Sequence, residues 1–432
     1  MASRRWFAGA LAGVCFIVGA ASVSIHGVEA ARGAAPGQVL LHPGPSGPVA
    51  ERIAWARGEA KANGWTRGFW VGFGIRRLMG ERSTMGWYPG DQAGRLLTLD
   101  DLINGRKTPL EKRVNQDQAV RGTAAVMPSA ARAQAALRIA EEPERRVIKE
   151  IAILLRMTSS ETAFPPDIRI SNLSCPFDFD DLPFIWVGMA ADTESLGYLI
   201  PLYGKAGTQE DKLSVLRAIG LHRNVPIIVP FAERILAGKE PEEIRAEAAE
   251  CLGEQSDLKA LEILLKAIKG DPSREVRERA VSGLVEMELP AAVDALILLA
   301  LNGADPEIRI EAIQGLADKA TGETIKALEK ISAADKDAKV QKEAIHALAD
   351  LPRKSGLPYL IHLVKIHADP RVRKEAVEAI GDIGGDEAVR VLTELARGKI
   401  RQPLHPLKNG NASVRRLSKA DGRGLSPLKS SQ

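Results

Sequence analysis

Several side-chain types in this chain invite a chemical reading, and arginine comes first. Arg245, Arg277, Arg309 and Arg373 recur with Gln341 in the fourth slot, a row that reads as an anion-binding track or as a structural ladder. In Asp305/Arg309 and Asp369/Arg373 the acid precedes the Arg by four residues, a spacing suited to helix capping and inter-repeat pairing, so the ladder is favoured. The histidines form no ligand pair. His222 is followed by Arg223, His346 by Ala347, His362 by Leu363 and His367 by Ala368, so there is no His-Glu dipeptide. His362 and His367 are five apart, not the three or four that set two ligands on one helical face. Gly72-x-Gly74 followed by Gly80 lacks both the Lys-Ser/Thr of a phosphate loop and a third Gly at dinucleotide spacing, so glycine in a strand or turn is expected. Asp178, Asp180 and Asp181 offer carboxylates that calcium prefers, but their spacing matches no EF-hand, and a polar turn before Pro183 explains them. Cys175 and Cys251 are too few for a disulfide framework, whether or not they pair. No Ser/His/Asp or Cys/His set is signalled. The expectation is no catalytic, cofactor-binding or metal-binding residue, no cofactor, and no enzymatic activity, with the binding residues unassigned.

Such side chains must be positioned by something, and the chain is repetitive. Ala248, Ala280, Ala312, Ala344 and Ala376 recur in steps of 32 residues, each followed four residues on by Leu252, Leu284, Leu316, Leu348 or Ile380. Further ladders run through Leu264, Leu296, Leu328, Leu360 and Leu392, and through Leu299, Ile331, Leu363 and Leu395. Within a unit, Leu258 to Leu265 places apolar residues at three and four, which is helical spacing. Gly270-Asp271-Pro272-Ser273 then breaks the chain, with the Asp expected to cap a second helix from about Glu275 to Met287. A pair of such helices cannot bury its apolar faces alone, and stacking on the next pair does so. Cys251 falls where other units carry Gly or Ala, so a packed thiol is expected.

The signature Asp-Pro-x-Val/Ile-Arg-x-x-Ala, read in Asp305 to Ala312 and Asp369 to Ala376, resembles the short HEAT-like repeat of the phycobilisome-lyase type. The resemblance implies an all-α fold, a HEAT-like α-solenoid (a right-handed superhelix of antiparallel helix pairs), over 195–397. Two degenerate pairs, Glu194 to Leu221 and Pro226 to Gly253, lead it in, and Leu137 to Arg156 reads as a further helical stretch. Six pairs would make a groove on the order of 50 Å long. Deoxyhypusine hydroxylases, HEAT-repeat enzymes that hold two irons through His-Glu dipeptides, are excluded by the missing dipeptides.

The ends read differently. Arg4 and Arg5 precede an apolar run from Trp6 to Ala21, and Val28-Glu29-Ala30 offers a cleavage site, so residues 1–30 are expected to be a signal peptide, with an uncleaved anchor as the alternative. A lipid anchor at Cys15 is disfavoured because Val14 precedes it. Residues 31–64 read as a linker. Residues 65–194, with the aromatics Trp65, Phe69, Trp70, Phe73, Trp87 and Tyr88, read as a small β-containing N-terminal cap in which the alternating runs Phe69–Ile75 and Asp167–Leu173 pair. This region, with Phe184-Ile185-Trp186-Val187-Gly188 and Glu194-Ser195-Leu196, is similar to a group of exported bacterial HEAT-repeat proteins, from which Val187 and Met189 depart. From Arg397 to Gln432 nine Lys/Arg face one acid, Asp421, a charge of +8 in a chain of formal charge +4. Residues 398–432 are expected to form a basic disordered tail.

The reading is a non-enzymatic scaffold or protein-interaction module, exported to the periplasm, cell envelope or extracellular space, that holds a protein or peptide in its concave groove. The tail offers an anionic envelope surface a contact by charge, and nucleic acid is a poor partner because the tail lacks interleaved aromatics. The alternative is a chromophore-binding lyase or isomerase related to phycobilin lyases, against which the export signal weighs.

Overall fold

A computed structural model describes residues 39–44, 47–81, 83–86, 97–105, 145–158, 164–165 and 167–397. The signal segment, Trp87, Tyr88 and the basic tail lie outside them. The chain forms two compact units, Met1–Gly303 and Ala304–Gln432.

The first unit opens with a mixed sheet. Its strands are β1 (Val39–Leu41), β2 (Phe69–Gly80), β3 (Arg146–Met157), β4 (Asp167–Asn172) and β5 (Phe184–Met189), in the order β1-β5-β2-β3-β4. β5 runs parallel to β1 and β2, whereas β3 is antiparallel to β2 and β4. Residues 69–75 of β2 are buried without a break, so the strand is covered on both faces. On one face Trp70 packs with Leu154, Phe184 and Trp186. On the other, Phe73 meets Tyr198 edge-on. Gly72 and Gly74 lie on the Trp70 face of the strand. A side chain at Gly72 would collide with Leu154 and Phe184, and one at Gly74 with Met189 and Trp186. The glycines make room for the aromatics of β5, and no phosphate loop is formed.

Three expectations are corrected. The strands at Phe69 and Asp167 do not pair, because β3 lies between them. Within the expected helical stretch Leu137 to Arg156, residues 146–156 belong to β3, and 137–144 lie outside the described residues. The run Ile151-Ala152-Ile153-Leu154-Leu155 fits either period, and twelve ladder pairs with β2 decide for the strand. The expected linker holds β1 and helix α1 (Val49–Ala62), whose Val49, Ile53, Ala56 and Ala60 are buried. Arg52, buried on the same helix, donates to the carbonyls of Val187 (2.9 Å) and Met189 (2.8 Å), tying α1 to the end of β5.

A short helix α2 (Leu99–Ile103) adds Leu99 to the Trp70 face. The repeats of this unit then follow as α3 (Asp192–Tyr203), α4 (Gln209–Gly220), α5 (Ile228–Leu236), α6 (Glu242–Gly253), α7 (Leu258–Gly270), α8 (Arg274–Glu286) and α9 (Pro290–Asn302). The second unit comprises α10 (Pro306–Lys319), α11 (Gly322–Ala334), α12 (Ala338–Ala349), a 3-10 turn at Pro352–Lys354, α13 (Leu357–Ile366), α14 (Pro370–Ile383) and α15 (Gly385–Ala396). The molecule is mostly helical, a solenoid-type series of helices behind a small N-terminal sheet. Ala248, Ala280, Ala312, Ala344 and Ala376, and the ladder from Leu252 to Ile380, are fully buried. Truncating one of these leucines to Ala removes core contacts worth about 2–5 kcal/mol. Asp305 and Asp369 cap their helices as expected, accepting from the amides of Glu307 and Arg371. Asp271 does not cap: Ser273 takes that role for α8.

Candidate functional site

The arginine row is a ladder between repeats. Asp271, released from capping, receives Arg245 in a two-pronged pair, Nε to Oδ2 at 3.1 Å and Nη2 to Oδ1 at 2.9 Å. In the second unit Arg309 donates to Asp335 at 2.6 Å, again 26 residues ahead. Where the partner slot holds Gly303 or His367 the pattern changes. Arg277 donates to the carbonyls of Asp271 and Pro272, and His367 takes the amide of Asp369 on Nδ1, which leaves Nε2 to donate to the carbonyl of Ala333 at 2.9 Å. Guanidinium groups occupied in this way do not form an anion track.

The second helix of each pair, helix B, presents four solvent-side positions spaced at four, three and four residues, which is one helical stripe. In the second unit these are Glu307, Glu311, Gln314 and Asp318 on α10, Lys339, Glu343, His346 and Asp350 on α12, and Arg371, Glu375, Glu378 and Asp382 on α14, a net charge of −6 with His neutral. In the first unit they run from Glu243 to Glu254 on α6 and from Glu275 to Glu286 on α8, a net −5. Side chains bridge successive helices along the stripe: Gln314 to Glu343 at 2.8 Å, His346 to Glu375 at 2.7 Å, and Arg279 to Glu250. Partial burial works to raise the Glu375 carboxyl, but hydrogen bonds from Lys342 and His346 outweigh it and hold it below its ordinary value.

The last stripe position separates the two units. In the first unit Glu254 is taken. Beyond the pairing of β2 with β5 and of β3 with β4, the antiparallel β2–β3 pair continues as a two-stranded arm of residues 76–80 and 146–150. Arg77 on this arm donates to Glu254 at 2.6 Å and to the carbonyl of Gly220 at 3.2 Å. Arg223 lies 2.8 Å from the other Glu254 oxygen, and Arg146 on the arm pairs with Glu288. A pocket of about 130 Å³ opens beside this junction, lined by Arg76, Arg77, Asp192, Arg223 and Glu288 among others. In the second unit the corresponding Asp318, Asp350 and Asp382 are exposed and have no ion-pair partner within 4 Å among the described residues. The Asp318 carboxyl is pushed up by burial and then by Asp350, against the pull of Lys319. The Asp350 carboxyl is pushed up by burial and by Glu343 and Asp382, against His346.

Other candidates resolve into structure. His222 is buried, its Nδ1 on the carbonyl of Ile219 at 3.1 Å and its Nε2 without a hydrogen bond, 4.0 Å from Asp192. Burial lowers its affinity for a proton, against the pull of the Ile219 carbonyl and Asp192. His362 is exposed. Cys175 and Cys251 are buried free thiols, the latter donating to the carbonyl of Leu216 at 3.5 Å, and burial pushes both upward. Asp178 accepts from the amide of Asp180, and Arg169, 3.6 Å from Asp180, stacks over Trp70. Among the described residues no group of three or more His, Cys, Asp and Glu is placed to hold a metal, and no helix is long and apolar enough to cross a membrane. The sequence reading missed the Arg77–Glu254 seat. Its signal was the acid six residues after each ladder alanine.

No curated protein matches the chain in sequence. Among solved structures it is similar to the complex of CpcE and CpcF of phycocyanin lyase from Nostoc sp. PCC7120, at 22% identity over 35% of this chain and 98% of that one, with a TM-score of 0.27. Human deoxyhypusine hydroxylase in complex with glycerol matches at 20% identity over 49% of this chain and 86% of that one, with a TM-score of 0.22. The family model for HEAT repeats matches residues 229–317 and 325–402, which span α5 to α10 and α11 to α15, and over these residues the chain is built of HEAT repeats.

Proposed function

We propose that the protein is an exported, non-catalytic scaffold whose helix-B faces receive an extended protein or peptide segment. HEAT repeats serve in general as interaction or scaffold folds, which supports the coarse reading. The observation that carries the finer one is the helix-B stripe. Successive helices offer the same four positions at one spacing, a surface that suits a partner laid across repeats. The arginine row is engaged, Arg245 and Arg309 between repeats and Arg277 and Arg373 on nearby loop carbonyls, so recognition falls to the carboxylates, Gln314 and His346 of the stripe. Export rests on the basic and apolar N-terminal residues.

Photo-crosslinking on the full chain tests the reading. A crosslinker at Gln314 or Glu343 should capture a defined partner from envelope extract, whereas one at Lys330 on helix α11 should not. Equal capture at both positions, or none at either, would overturn it. Mass spectrometry of the mature N-terminus tests export: cleavage after Ala30 supports it, and a chain recovered from the cytosol with Met1 intact refutes it.

A further inference from the structure

The last position of the helix-B stripe carries an acid in every unit of the ladder: Glu254, Glu286, Asp318, Asp350 and Asp382. Each sits in the final turn of its helix or just past it. A carboxylate there faces the negative end of the helix dipole, where a cation is the favoured neighbour. Local physics is thus opposed at the same place repeat after repeat, a pattern expected where a surface is reserved for binding.

The first unit shows what satisfies such a position. Glu254 holds the guanidinium of Arg77, carried on the extended β2–β3 arm, and that of Arg223 beside it. Nothing equivalent reaches Asp318, Asp350 and Asp382 among the described residues. The cations lie further along the chain. Residues 398–432 follow directly on α15 and carry Lys399, Arg401, Lys408, Arg415, Arg416, Lys419, Arg423 and Lys429 against Asp421, a net +7 facing a stripe of −6. Reach is not limiting: 35 residues extend to about 120 Å at most, while three helices at 8–10 Å spacing span roughly 20 Å.

We propose that residues 398–432 seat along the helix-B edge of the second unit, their Lys and Arg on Asp318, Asp350 and Asp382, as Arg77 seats on Glu254 in the first. The tail then acts as an internal occupant that a partner must displace, so the face selects Lys/Arg-rich extended segments. This rests on the reading of the helix-B faces as the binding surface.

Carbodiimide crosslinking of the full chain, which joins lysine amines to carboxylates in direct contact, is the test. Lys399, Lys408, Lys419 and Lys429 should crosslink to Asp318, Asp350 and Asp382 several-fold more than to Glu323 and Glu329 on α11. The products should fall several-fold at ~1 M salt, where charges more than ~3 Å apart are screened, and should move away from α10, α12 and α14 in the D318N/D350N/D382N chain. Hydrogen exchange on that variant checks that its helices remain protected. Crosslinks spread evenly over helix-A carboxylates, or none from the tail, would overturn the proposal and leave the tail to an external anionic surface. In an equal mixture of ¹⁵N-labelled and unlabelled chains, products joining heavy to light would name a second copy as the occupant and also overturn it. The two readings fail separately. Tail crosslinks without partner capture at Gln314 would sink the scaffold reading alone, and capture without tail crosslinks would sink only this one.

Discussion

The same repeat position is filled in the first unit at Glu254 and, among the described residues, has no ion-pair partner in the second. Glu254 in the first unit is a half-closed ion pair: its side chain is 13% exposed and that of Arg77 is 9% exposed. Asp350 in the second unit faces solvent with other acids around it. The helices that carry these residues are built alike, with a buried Ala and a buried Leu in register. The difference therefore lies in what approaches the helix-B edge, and a solenoid can keep one scaffold while some repeats are capped internally and others stay receptive.

The largest effect should come from opening the filled edge. Arg77→Ala leaves the Glu254 carboxylate half-buried with Arg223 as its remaining cation, and it also strips the Gly220 carbonyl of a donor. Breaking a buried pair from one side costs about 3–5 kcal/mol. Denaturant unfolding of the full chain should show most of that loss, and hydrogen exchange should place it at the arm and at the ends of α4 and α6. A loss below about 1 kcal/mol, the range of exposed pairs, would mean that the arm merely rests on the repeats.

Next comes the ladder that stiffens each unit. Arg245→Ala removes a two-pronged pair with Asp271, and about 1.5–3 kcal/mol should go with it. Gln341→Ala, at the same slot where no Asp stands opposite, should change stability by less than about 0.5 kcal/mol. If both substitutions cost alike, the Arg–Asp pairs are surface decoration and the ladder reading fails.

Why was the ladder legible and the arm not? The period of 32 writes itself into the chain because each repeat meets a copy of the same neighbour, so Ala312 and Leu316 recur where packing demands them. Asp305 and Asp369 were readable as caps for the same reason. The arm depends on pairing between segments far apart in the sequence, and residues 146–156 fit a helix as well as a strand until β2 lies alongside. α1 was hidden by the Gly and Pro before it, although Val49, Ile53, Ala56 and Ala60 keep helical spacing. Arg77 and Glu254 are 177 residues apart and belong to different motifs, so nothing local joins them.

Acidification should move the two units in opposite directions. His222 is held neutral by burial, so the unfolded chain binds its proton more readily. Its contribution is complete above the unfolded value of about 6.5 and drains away as pH falls below it. Asp318 and Asp350 are raised, so their contribution grows as pH falls through the carboxylate range and is lost as pH rises. Hydrogen exchange near pH 6 should report weakening around α4 before any change in α10 or α12, and His222→Gln should flatten that response. Equal weakening in both units would mean that groups common to both, not these, set the pH response.

The smallest effect is the most diagnostic of the open edge. In a chain ending at Arg397, Asp318→Asn and Asp350→Asn relieve mutual repulsion and the unfavourable dipole, so each should stabilise its helix by about 0.3–1 kcal/mol at neutral pH. The gain should shrink as pH falls through the carboxylate range, starting above the ordinary aspartate value because both carboxyls are raised, until they are protonated and the amide has nothing left to relieve. In the full chain the same substitutions should gain less. If the basic residues already neutralise the edge, replacing the acids removes a seat as well as a repulsion, and the two terms offset. Equal gains with and without residues 398–432 would show that the edge stays bare, and the contrast between the two units would then end at the arm.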